Sequence, residues 1–420
     1  MSSNKALFSA LFIMMGVAAA NAQSSTNSPY TRYGLGELSS PGFAHNAAMG
    51  GIGYALRSSE QINVMNPASY SAVDSLSFMF DTGMSLKSSN YQENGYKSNA
   101  KNATFDYLAM QFRLHPRLGV AIGFTPYSNV GYKFSQSTDI TNSDDVTLSN
   151  TFYGDGGLQQ IFGGLGFKIL KNLSIGANVG YLYGQIDYQT LATLSNGGDQ
   201  TLVYNDLSIN SYTVNFGLQY TQKLGKNNCL TLGLVYDLGH DVKSTEVKGI
   251  QVTDGENYSE KTEETVKDSY GIPNVIGAGL TWKHKQNLIV GFDYTLQQWG
   301  KVKYDNATDF YKDRTRVAAG VEYLPYLYGR NYLSRIRYRA GAYYSTSYMK
   351  LPQYEGPKEW GVSAGFGLPL TLFHHNTVLN ITGQYTRVVP SVKNMLSENR
   401  FVLKLGLTFN QHWFMKGQVN

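Results

Sequence analysis

The sequence predicts an all-β fold: a transmembrane antiparallel β-barrel of about fourteen strands, with an N-terminal plug segment in its lumen. Three observations lead there. The chain opens on an export-type leader, period-two alternation recurs from about Ser75 to the C-terminus, and short turns alternate with longer polar links.

The leader comes first. Lys5 supplies a thin positive n-region, and Ala6 to Ala20 is an apolar stretch of signal-peptide length. Ala20-Asn21-Ala22 fits the small-x-small cleavage pattern, which makes Gln23 the expected first mature residue and residues 1–22 a signal peptide. A spanning helix would want roughly 20 apolar residues, more than this stretch offers. Beyond residue 22 every apolar run is broken by Gly, Asn, Lys or Asp within a few positions. An exported chain without such helices is either soluble or a closed barrel.

Composition narrows the choice. The chain has 32 Tyr and 44 Gly in 420 residues, its charged fraction is 15%, and its mean hydropathy is −0.29. An ordinary soluble domain carries roughly 25% charge. Many aromatics and glycines with few charges suit strands that are apolar on one face only. The net charge of +5 is dispersed, so no nucleic-acid partner is expected. Cys229, the only cysteine, excludes an intramolecular disulfide and is expected to be a buried, inert thiol.

Residues 23–74 read as the plug. Ser28 to Gly36 lacks sustained alternation, and Asn46 to Leu56 is rich in small residues. Gly50 and Gly51 allow positive φ and close backbone approach. Asn66-Pro67-Ala68 fixes a turn that leads into the first strand.

Residues 75–412 read as the wall. In the last strand Phe401, Leu403, Leu405, Leu407 and Phe409 share one face, with Val402, Lys404, Gly406 and Thr408 on the other. Leu288, Val290, Phe292, Tyr294 and Leu296 likewise oppose Asp293, Thr295 and Gln297. Ile336, Tyr338, Ala340, Ala342 and Tyr344 oppose Arg335, Arg337 and Arg339. The pattern places strands near 75–88, 102–114, 118–135, 157–170, 173–193, 206–224, 228–248, 266–285, 286–299, 312–323, 335–348, 358–372, 376–389 and 400–412. Many exceed the 5–6 residues usual in a soluble sandwich and reach the roughly 9–11 that lipid requires.

Short links at 115–117, 171–172, 225–227, 283–285 and 374–375 alternate with long polar ones at 136–156, 195–205 and 251–264. That asymmetry places the short turns and both chain ends on the periplasmic side; the long link at 324–334 departs from it. Trp282 and Trp413 fall at periplasmic strand ends and Trp299 and Trp360 at exterior ends, as interfacial girdles would. Residues 413–420 form a periplasmic tail.

The order of motifs resembles the FadL-type outer-membrane transporters of hydrophobic compounds. Ala48-Met49-Gly50-Gly51 followed by Asn66-Pro67-Ala68 is similar to that family's plug and turn. Ile272 to Leu280, Asp293-Tyr294 with Trp299, Arg316 to Tyr323 and Arg339 to Tyr343 are similar to its later strands. The tail through Trp413 to Lys416 resembles Bacteroidota barrels, where relatives of this fold also serve as secretion or assembly accessories. The resemblance implies a monomeric fourteen-stranded barrel, plugged by its N-terminal segment, whose ligand passes the plug or leaves sideways into the membrane.

No P-loop, HExxH, GxSxG or metal-spaced cysteine set is present, so neither enzyme activity nor a cofactor is expected. His374-His375 lacks a third ligand, and Ser143-Asp144-Asp145 lacks the spaced oxygens of a calcium loop. Asp293, Arg316, Glu322, Arg337 and Arg339 are expected to face the lumen, since an Arg facing lipid at mid-depth costs about 2–4 kcal/mol. Such a network braces the wall and anchors the plug, or forms a latch that a substrate or partner displaces. The expected function is uptake of small hydrophobic molecules through the plugged barrel, with outer-membrane lipid as its surroundings. The alternative is a barrel subunit of an outer-membrane protein secretion or assembly complex; a simple diffusion porin is disfavoured by the plug.

Overall fold

The computed structural model describes residues 25–412, apart from 41, 76, 141–145, 198, 255–256, 328, 351–353, 371–376 and 394. The expected signal peptide, the tail with Trp413, the His374-His375 turn and the Ser143-Asp144-Asp145 stretch lie outside the described residues.

Fourteen antiparallel strands close into a barrel. We number them β1 Ser77–Glu93, β2 Tyr96–His115, β3 Leu118–Asp139, β4 Thr147–Lys168, β5 Leu173–Leu194, β6 Gln200–Leu224 and β9 Leu288–Gln297. Strands β10 Arg314–Tyr323, β11 Arg337–Ser345, β12 Lys358–Leu370, β13 Thr377–Val389 and β14 Ser397–His412 complete the regular wall. Between β6 and β9, β7 runs through Asn228–Asp237, His240–Val242 and Ser244–Asp254, and β8 through Asn257–Lys267, Tyr270–Ile272 and Val275–His284. Closure is the pairing of β14 with β1, from Ser397↔Gln92 to His412↔Ser77. Closure pairs most of the wall's backbone groups within the sheet, as a lipid-spanning barrel requires. No described helix is long and apolar enough to cross a membrane.

The alternation holds where it was clearest. Phe401 and Leu403 are exposed on the outer face of β14, whereas Gly406 and Thr408 are buried inside. Boundaries differ more at the end of the barrel that carries the loops. The links at 136–156, 195–205 and 251–264 are largely strand: β3 pairs with β4 as far as Asp139↔Thr147, and β7 with β8 to Asp254↔Asn257. Outside a membrane both faces of a sheet are wet, so the hydrophobic period fades while the ladder continues. Polar cross-strand pairs such as Ser135 with Thr151 at 2.9 Å hold it instead. The first hairpin also runs further than the alternation reaches, to a turn with Asn94 at φ 47° and Gly95 at φ 87°. An Asn-Gly pair is the residue signal for such a turn.

Four other expectations need correcting. Trp299 is fully buried against Tyr311 and Tyr348 and joins no girdle, while Trp282 and Trp360 do face outward. Cys229 is half-exposed where β7 begins, so it is not a buried thiol. The N-terminal end of the described chain lies beside the loop end of β14, not at the short turns: Tyr30 Oη donates to the Leu396 carbonyl at 2.6 Å. Arg335 belongs to a 3-10 turn, Tyr332–Arg335, ahead of β11.

Candidate functional site

Residues 25–74, position 41 apart, pack against the inward-facing side of the strands, and the longest helical piece there is the six-residue 3-10 helix Pro67–Ala72. Gly50 and Gly51 both take positive φ, 70° and 79°, and reverse the chain after the turn Ala44–Ala47. Asn46 closes that turn, accepting from the Phe43 N–H at 3.0 Å and donating to the Ile52 carbonyl at 2.9 Å. Asn66 caps the 3-10 turn Pro67–Ala72 by accepting from the Ala68 N–H at 3.1 Å. Its amide also donates to the Tyr54 carbonyl at 2.8 Å and the Leu218 carbonyl at 3.2 Å, tying plug to wall.

Close approach to the wall requires inward-facing glycines. Gly119, Gly166, Gly176 and Gly217 lie side by side across β3 to β6, and Gly291, Gly320 and Gly341 across β9 to β11. A β-carbon on Gly119 would overlap the Tyr70 carbonyl, on Gly166 that of Pro67, and on Gly320 that of Met49. This belt seats the plug backbone against the sheet, which explains why a chain of this composition needs so many glycines.

The five expected lumen charges all face inward, in two groups. Asp293 accepts from the Gly53 and Tyr54 N–H groups at 2.6 and 3.0 Å. Arg316 donates to the Gly50 carbonyl at 2.7 Å and lies 4.6 Å from the Tyr343 ring centre. Glu322 bridges the other two, binding Arg339 at 2.6 Å and Arg337 at 3.2 Å, and Arg337 also pairs with Glu60 of the plug. His45 is packed beside this group; burial and the nearby Arg339 push its pKa down to about 3.

A further latch escapes a reading by strand periodicity because it joins distant segments. Glu37 pairs with Arg400 at 2.7 Å and Lys87 at 3.1 Å, and Arg400 also holds Glu398 at 2.5 Å. Burial opposes ionisation of Glu37, but the two cations hold its carboxyl down at about 2.

Beside the plug lies a cavity of 550 Å³. Phe43, Phe105, Phe124 and Val402 line it together with Glu37, Lys87, Asp106, Arg314, Arg400 and Lys404. Towards β3–β8, a hydrophobic cluster around Leu35 occupies the loop end; Trp299, Tyr311 and Tyr348 belong to it and Tyr304 packs against it.

The cavity borders a seam in the wall. The ladder between β2 and β3 stops at Leu108↔Phe124, while residues 96–107 of β2 pair with β1 alone. β3 continues along β4 and receives a plug strand, Glu37–Leu38, at Asn129 and Ser128 on its other edge. Pro126 sits at the register shift just above the last β2–β3 pair and has no N–H to offer a ladder. That proline inside an otherwise alternating strand is the residue signal that would have located the seam.

A family model described as BamG matches residues 4–420. No curated protein matches the chain. Among solved structures it is similar to the Pseudomonas putida toluene transporter TodX, at 14% identity and TM-score 0.62, over 90% of this chain and 100% of that one. It is also similar to the Ralstonia pickettii toluene transporter TbuX, at 16% identity and TM-score 0.58, over 89% and 99%. A Pseudomonas aeruginosa FadL homologue gives 12% identity and TM-score 0.60, over 89% and 99%. The expected likeness to FadL-type barrels therefore holds at the level of fold.

Proposed function

This chain belongs to the BamG family, and on that premise we propose that it is an outer-membrane channel for small hydrophobic, fatty-acid-like molecules that leave the lumen sideways. The seam between β2 and β3 carries this reading. The glycine-seated plug obstructs a straight path, whereas the cavity beside it meets a break in the wall flanked by Phe105 and Phe124. In this reading Gly50, Gly51 and Asn66-Pro67-Ala68 hold the plug shut, and the paired lumen charges brace it. The short turns face the periplasm, and the leader at residues 1–22 is removed after export. No enzymatic step is assigned to any residue.

The test locks the seam. Cysteines at Phe105 and Thr125, in a Cys229→Ser background, are bridged by a bifunctional thiol reagent, and uptake of labelled oleate and toluene is followed in cells. Bridging should abolish uptake that the unbridged variant supports. Unchanged uptake in the bridged protein would remove the lateral route.

A second reading, a barrel subunit of a protein secretion or assembly complex, is favoured by the chemistry of the same place. The cavity is lined with ion-paired charges, poor company for an alkyl chain, and the part of β2 that leaves the β3 ladder is a template for another strand. Photo-cross-linking from residues 99–103 in native membranes separates the two. A stoichiometric protein adduct supports the subunit, and lipid or ligand adducts alone support the channel.

A further inference from the structure

The outer wall carries a groove that the lumen chemistry does not use. It lies on β12, β13, β14, β1 and β2 and encloses 920 Å³. Its floor is one register row, Ala364–Gly383–Leu403–Leu86–Ala103. The row below is bulky, with Phe366, Ile381, Leu405, Met84 and Phe105. Ala364, Gly383 and Ala103 lie low in the floor row beside the exposed Leu403 and Leu86, and together with the bulky row they leave an apolar trough that acyl chains could follow.

Gly383 shows that the trough is not a by-product of plug packing. Its φ is not positive, and a β-carbon there would find its nearest neighbour, the Ala364 carbonyl oxygen, at 4.0 Å. The belt glycines are forced by contact with the plug; this one is not. A β-carbon there makes only ordinary contact, so a larger residue is sterically admitted and would fill the trough.

The rim towards the loop end is polar and cationic. Tyr385 and Phe401 stand at the upper edge, with ring centres 4.9 Å apart, in the row that ends at Lys101. The next row up contains Arg387, Asn399, Asn90 and Asn99. Lys101 and Arg387 point outward, and neither has an ion-pair partner among the described residues. Three strand spacings and one row separate them, about 16 Å. Two outward cations above an apolar trough, at the level where aromatic side chains mark the interface, match a lipid with acyl chains below and anionic groups above.

We propose that this groove binds a phosphorylated, multiply acylated lipid of the outer leaflet, its chains lying over Gly383 and Ala364 and its phosphates meeting Lys101 and Arg387. The site shares Phe105 with the seam but requires no ligand in the lumen.

The experiment uses the full chain extracted in mild detergent, with diphosphorylated lipid A as probe and its dephosphorylated form as control, bound species being counted by native mass spectrometry. Wild-type protein should retain the diphosphorylated lipid and hold the control more weakly. Lys101→Gln combined with Arg387→Gln should weaken the diphosphorylated complex by about tenfold or more, as expected for two interfacial cations, and leave the control unchanged. Gly383→Leu should weaken both lipids alike. Heat-modifiable mobility confirms that each variant is folded, and the charge pair alone decides the matter if Gly383→Leu is not. Equal binding of the two lipids, unchanged binding by the charge variant, or a protein cross-linked at position 101 in place of lipid would overturn the proposal.

Discussion

The carboxylate of Asp293, on β9, accepts a 2.6 Å hydrogen bond from the backbone N–H of Gly53, a residue 240 positions earlier in the chain. It takes a second from Tyr54 at 3.0 Å. A wall carboxylate thus caps the bare plug backbone just after the Gly50-Gly51 reversal. Asp293→Ala leaves both N–H groups without their charged acceptor, and bonds of that type are worth about 1.5–3 kcal/mol. The urea midpoint of the refolded barrel should fall accordingly, and protease should cut the plug near residues 50–56 earlier than the wall.

Glu322 is the shared anion of two arginines, one of them, Arg339, almost wholly buried. Removing one member of a buried ion pair costs about 3–5 kcal/mol, because the partner charge is left stranded. Glu322→Gln should therefore be strongly destabilising. Glu322→Gln with Arg339→Met should be milder than the sum of the two single changes. Strict additivity in that double-mutant cycle would show that the two side chains do not interact.

Gly320 and Gly341 pair across β10 and β11 beneath the Met49-Gly50 backbone. Gly320→Val pushes the plug away from the wall, and overpacking of this kind costs about 1–3 kcal/mol. Hydrogen exchange should rise in residues 44–56 while the strand amides of β3 to β6 stay protected. Unaltered exchange there would mean that the belt does not seat the plug.

His45 carries a pH dependence with a definite sign. Its folded pKa, about 3, lies below the unfolded value of about 6.5, so the unfolded segment binds a proton that the folded plug excludes. Stability is then full above pH 6.5 and falls as the pH drops towards 3. Glu37, held down at about 2, adds a loss that begins only below about pH 4.5. Protease release of the plug, followed from pH 7.5 to 4.5, should increase in wild type and flatten in His45→Leu. An identical profile in the two proteins would remove His45 as the cause.

Most of the wall was legible because lipid outside and plug inside impose opposite demands on alternate residues. Where that contrast ends, so does legibility: residues 136–139 and 147–156 are strand although their alternation fades. The charges Asp293, Arg316, Glu322, Arg337 and Arg339 were legible as inward-facing for the same reason, but not their partners. Asp293 and Arg316 bind plug backbone, which carries no sequence signature, and Glu60 was invisible as the mate of Arg337.

By itself the sequence determined the barrel, its strand number, the inward face of each clear strand and the positive φ open to Gly50-Gly51, since each follows from local period or local backbone freedom. Tertiary structure alone decided the belt at Gly119, Gly166 and Gly320 and the Glu37–Arg400–Lys87 latch, and it decided which strands part at the seam that Pro126 marks. Each depends on which distant strands meet and in what register, and that is settled only when the sheet closes around its plug.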